Sequence, residues 1–103
     1  MDAMERQMWM DDCQRLVAEF NDVAIPAFRQ EWGEDEALST ITMELYTAHD
    51  DIQLIVGSRA AFLVEGASGL IYKIGSDGRV RYEKCLGLIT GVTGRELYQW
   101  LWW

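Results

Sequence analysis

The sequence predicts an α+β domain: N-terminal helices, with a kink or break near Pro26, packed on a four- to five-stranded antiparallel sheet, followed by a short C-terminal helix. Three observations predict it. Apolar residues recur at steps of three and four up to Phe20, at steps of two through the middle of the chain, and at helical steps again after Thr93. Clusters of Gly, Ser and Asp separate the two-step runs. No long helical pattern lies between those runs, so consecutive strands pair as an antiparallel meander with the helices on one side. The chain has 103 residues, 50% hydrophobic and 25% charged, which fits one domain over 1–103.

The first helix rests on Trp9, Cys13, Leu16, Val17 and Phe20, which form one stripe at 100° per residue. Arg15 sits four residues from Asp11 and from Glu19, the spacing of helical ion pairs. Pro26 lacks an N–H and disfavours helical geometry at the residue before it, so an end or kink is expected near Val23 to Ile25. A short second helix then carries Pro26 in its first turn and stops at Gly33.

From Leu38 to Thr47 the period becomes two. Ile41, Met43, Leu45 and Thr47 share one side, and Thr40, Thr42, Glu44 and Tyr46 the other. His49-Asp50-Asp51 reads as a turn, Ile52 to Val56 as a strand closed by Gly57-Ser58, and Ala60 to Glu65 as a third strand or, since so short an apolar run fits both, a helical segment. Leu70 to Ile74 and Val80 to Lys84 flank Gly75-Ser76-Asp77-Gly78, a hairpin signal. Polarity assigns Lys73, Arg79, Arg81 and Glu83 to its solvent face, and Tyr72, Ile74, Val80 and Tyr82 to the other. Thr93-Gly94-Arg95-Glu96 matches a capping box, with Leu97, Trp100 and Leu101 as the apolar face of the terminal helix.

The net charge is −8 and its distribution is uneven. Through Ile52 there are thirteen acids and three bases; from Gln53 onward there are four acids and six bases. Direct nucleic-acid binding is disfavoured, because phosphate contacts need clustered Lys and Arg. Acids on one side attract basic partners and speed encounter. No run of about 18 apolar residues is present, so no membrane span is expected. The acidic N-terminal stretch does not read as a signal peptide, and a cytoplasmic location with two reduced thiols is the default.

The candidate chemistries are weak. His49 is the sole histidine, and no second His or nearby Cys completes a metal set, so no metal is expected. GxSxG is absent and each of Ser58, Ser68 and Ser76 sits beside a Gly as in ordinary turns. Gly87, Gly91 and Gly94 precede a helix, but their spacing matches no phosphate-binding motif. Cys13 and Cys85 form no CxxC pair. Paired acids such as Asp11-Asp12 belong to helix surface and links rather than a cleft. No catalytic residue, cofactor or metal ligand is therefore assigned.

The informative residues are instead spare apolar ones. Met1, Met4 and Met8 fall off the stripe of the first helix, and Met-rich faces suit adaptable contacts. A short terminal helix cannot place Trp100, Trp102 and Trp103 on one stripe, so Trp102 and Trp103 either fold back or meet a partner. The expectation is a small acidic, non-enzymatic protein-binding module, most concretely an inhibitor of the phage anti-defence (anti-CRISPR-like) kind that occludes a basic nucleic-acid-handling protein. The partner-binding residues expected are Glu31, Glu34, Asp35, Glu36, Asp50, Asp51, Met4, Met8, Trp102 and Trp103. The alternatives are a toxin-immunity protein or secretion chaperone, with homodimerisation compatible, and a small enzyme or ligand-binding domain.

Overall fold

The structure is a computed structural model that describes residues 3–32, 43–48 and 51–101. Helix α1 (Ala3–Glu19) runs into a π turn (Phe20–Ala24) and then α2 (Ile25–Trp32). The break expected near Pro26 is this π turn. The proline ring would collide with the carbonyl four residues back, and it offers no N–H. Inserting one residue into the turn just before it relieves both demands: the Ile25 N–H donates to the Phe20 carbonyl, five residues earlier. The chain changes helical pitch instead of stopping.

Five strands follow: β1 (Met43–Ala48), β2 (Asp51–Val56), β3 (Arg59–Val64), β4 (Leu70–Ile74) and β5 (Val80–Leu88). They lie in the order β1-β2-β3-β4-β5, each antiparallel to the next. A 3-10 turn (Ile89–Gly91) leads to the last helix, α3 (Gly94–Trp100). The fold is the α+β arrangement that the periodicities imply.

Helices cover one face of the sheet. Cys13, Leu16, Phe20, Ala24, Ile25 and Phe28 meet Met43, Ile52, Leu54, Phe62, Val64 and Ile71, and Ile89, Val92, Leu97 and Tyr98 complete the core. The outer edge of β1 is pinned to the helix by one side chain. Asn21 Nδ2 donates to the Met43 carbonyl at 3.0 Å, and Asn21 Oδ1 accepts from the Met43 N–H at 2.8 Å. Thr93 caps α3 by accepting the Glu96 N–H at 3.2 Å, and its hydroxyl donates to Glu96 Oε1. The expected Glu96 contact thus runs to the capping side chain.

The hairpin forms as expected, with Arg79 and Glu83 exposed and Ile74 buried, but register shifts interrupt its alternation, and Lys73 is buried while Tyr82 is 62% exposed, the reverse of their expected sides. Polarity places Lys73 in solvent, yet it stands opposite Phe62 on β3 and is 7% exposed. Its aliphatic stem is apolar, so it lies among the core residues while the ammonium, 5.0 Å from the Phe62 ring centre, reaches the Leu101 carbonyl at 3.4 Å. Tyr72 therefore turns away from the helices, with its ring 5.1 Å from that of Tyr82.

Burial lowers the Lys73 ammonium from its ordinary 10.5, with Lys84 and then Arg59 adding to the effect. The folded chain releases this proton more readily than the unfolded chain. Charged Lys73 thus costs stability, and the cost is relieved as pH rises through the folded value toward 10.5. Lys73→Met should be neutral to stabilising near neutral pH, by about 1 kcal/mol, and should flatten the alkaline rise in stability. Urea denaturation of both proteins across that range measures this; a methionine variant clearly weaker at neutral pH would contradict it.

Candidate interaction surfaces

Carboxylates on α1 are not equivalent. Arg15 Nη1 donates to both carboxylate oxygens of Glu19 at 3.0 Å, and Arg15 Nε lies 3.7 Å from Asp12. Arg15 Nη2 donates to the Ile89 carbonyl at 2.8 Å, and Glu19 Oε2 accepts the Gly94 N–H at 3.0 Å. Glu19 thus places negative charge at the start of α3, where unpaired N–H groups point outward. Arg15 and Glu19 together tie the 3-10 turn and α3 onto α1, so these groups are structural. The Tyr98 ring closes the same junction, stacked on Phe28 at 4.1 Å and tilted against Phe20 at 5.7 Å.

Toward the N-terminus the same side of α1 changes character. Met4 is 77% exposed and Met8 53%, one helical turn apart. Glu5 and Asp11 are exposed on the same helix, and Asp11 accepts from Gln7 Nε2 at 2.8 Å. Both methionines lie off the core stripe, as their helical angles imply.

The remaining expected residues do not gather around them. Glu31 is exposed near the end of α2, 3.8 Å from Arg95. At 1.5 Å per residue it stands roughly 40 Å along the helical run from Met4. Asp51 opens β2, half-buried, and its Oδ1 accepts the Gly66 N–H at 3.1 Å, fastening the β3–β4 connection. Glu34, Asp35, Glu36, Asp50, Trp102 and Trp103 lie outside the described residues, as does His49.

The two thiols differ. Cys13 is buried in the core and pushed up to about 12, chiefly by burial, then by Asp12, against a smaller pull from Arg15. Cys85 is exposed on β5. Reactivity follows thiolate and access, so a disulfide-exchange reagent should titrate one thiol in the native protein and the second only in denaturant. Two fast-reacting thiols in the native protein would contradict the burial of Cys13. Among the described residues, no three His, Cys, Asp or Glu side chains converge to hold a metal ion, and no helix is long and apolar enough to cross a membrane.

The uncovered sheet face escaped the sequence reading. Tyr46 and Tyr82, on the two edge strands, are 54% and 62% exposed. Alternation on β1 puts Tyr46 on the side opposite Met43 and Leu45, but only the cross-strand register brings it into line with Tyr72.

No protein-family model, curated protein or solved structure matches the chain.

Proposed function

We propose that this chain is a non-enzymatic protein-binding module whose partner carries a basic surface, and that in its most concrete form it inhibits a nucleic-acid-handling protein by covering that surface. The observation that carries this reading is the outer side of α1, where Met4 and Met8 are exposed beside the carboxylates of Glu5 and Asp11. Carboxylates accelerate encounter with a cationic surface and set its orientation. Methionine then supplies pliable apolar contact area without demanding a fixed pocket. The net charge of −8 adds a long-range attraction to the same kind of partner.

The test is affinity capture with the full chain as bait, at low and at high salt, beside a bait carrying Met4→Ser, Met8→Ser, Glu5→Lys and Asp11→Lys. The expected outcome is a partner of high isoelectric point that is held at low salt, released at high salt and lost from the variant. Capture that ignores salt and the four substitutions would refute the assignment to α1.

A further inference from the structure

The sheet face turned away from the helices carries a row of side chains across four strands. Tyr46 on β1 stands opposite Gln53 on β2, Gln53 opposite Leu63 on β3, and Leu63 opposite Tyr72 on β4. Residues opposite each other on antiparallel strands share a face; along this row Tyr46 is exposed, Gln53 and Tyr72 are half-buried, and Leu63 at the centre is 7% exposed though outside the cluster packed on the helices. On β5 the register partner of Tyr72 is Cys85, and Tyr82 joins the row through its ring, edge-on to Tyr72 at 5.1 Å and 65°. Five strands at about 4.8 Å spacing give a platform roughly 19 Å from edge to edge, enough for about six residues of extended chain.

On β1, β2 and the end of β3 the charges of this face are acidic, while β5 carries Lys84 two residues after Tyr82. Strand side chains alternate, so Glu44 shares the side of Tyr46, and Asp51 the side of Gln53. Glu65 follows Leu63 by two and continues the pairing, its N–H donating to the Leu70 carbonyl at 2.9 Å. Burial, and then the Glu65 charge, hold the Tyr72 phenol above its ordinary value. On β1, β2 and β4 the same alternation brings Ile55, Leu70 and Ile74 to this side, and no Lys or Arg accompanies them. Lys73 is committed to the opposite side, against Phe62.

Tyrosine rings bordered by carboxylates select for cations. A guanidinium stacks on an aromatic face and pairs with a carboxylate through its edge, two demands that one arginine meets together. Phosphates of a nucleic acid would meet Glu44, Asp51 and Glu65, and a second copy of this chain would set those acids against their own counterparts. An uncharged apolar partner would strip water from the carboxylates without replacing it.

We propose that the uncovered sheet face is a docking surface for an arginine-bearing segment of a partner protein, with Tyr46, Tyr72 and Tyr82 stacking on its guanidinium groups and Glu44 and Glu65 balancing their charge. This surface is distinct from the α1 strip and stands without it. A direct test titrates the ¹⁵N-labelled full chain with a hexa-arginine peptide, followed by amide NMR shifts, beside hexaglutamine and hexaglutamate peptides. Saturable shifts at Tyr46, Gln53, Leu63 and Tyr72 are expected with hexa-arginine alone. Tyr46→Ser with Tyr82→Ser leaves the net charge unchanged and should weaken binding about tenfold, whereas Tyr46→Phe with Tyr82→Phe should retain it. Shifts confined to α1 around Glu5 and Asp11 would overturn the sheet face while leaving the proposed function standing. Equal shifts with hexaglutamine, indifference to the serine pair, or no saturable shift would each overturn it as well.

Discussion

Alanine at position 94 should destabilise the chain by about 3 kcal/mol or more, the upper range for forcing extra atoms into a packed junction. The cause is geometric. A Cβ on Gly94 would stand 2.5 Å from the Phe20 backbone nitrogen and 2.6 Å from the Glu19 carbonyl carbon. Neither atom can rotate aside, because both belong to the helical run at the start of the π turn. Only lifting α3 makes room, and that breaks the 3.0 Å bond from the Gly94 N–H to Glu19 and opens the Tyr98 contacts with Phe20 and Phe28. Thermal denaturation followed by circular dichroism should show a midpoint lower by roughly 15 °C. A midpoint within a few degrees of the parent would mean that α3 is not docked there.

Gly69→Ala should rank second, at about 2–3 kcal/mol, and its cause can be separated into two parts. Gly69 has φ +73°, where a side chain costs roughly 1–2 kcal/mol. An added Cβ would also lie 2.6 to 2.9 Å from three carbons at the far edge of the Trp9 indole. That obstacle is a side chain, so it can yield by swinging the ring out of the core. The Trp9 Nε1 is buried with no acceptor among the described residues, so packing rather than hydrogen bonding holds the indole. Trp9→Leu combined with Gly69→Ala should therefore cost less than the two changes summed, leaving the backbone strain of about 1 kcal/mol. Additive losses in a urea-denaturation cycle would place the whole penalty in the backbone. Gly94→Ala offers no such rescue, since trimming Glu19 leaves the obstructing backbone in place.

The contrast between these glycines indicates how far the sequence could be read. Trp9, Cys13, Leu16 and Phe20 announced their helix because local periodicity places them on one stripe, and the two-step runs and Gly57-Ser58 announced the strands. Pro26 marked where regular helix had to yield. It could not say that the chain would answer with a π turn, since packing of Phe20 and Ala24 against distant strands decides that. The Arg15–Glu19 link to Ile89 and Gly94 spans more than seventy residues in sequence, and nothing near either end signals it. Lys73 was misassigned for a related reason: polarity is a poor guide when an apolar stem can line a core and its charged tip can reach a helix end. The candidate site divides in the same way. Met4 and Met8 followed from helical angles alone, whereas the row from Tyr46 to Tyr72 depends on three successive strand registers, which no local pattern specifies.

The central claim is that negative charge guides this chain onto a basic protein partner. The most direct measurement is the association rate with the captured partner as a function of salt, for the parent chain and for Glu34→Lys with Asp35→Lys and Glu36→Lys. Steering by carboxylates predicts a rate that falls steeply as salt screens them, and a slower, flatter dependence in the charge-reversed variant. A rate unchanged by salt and by the three reversals would contradict the claim.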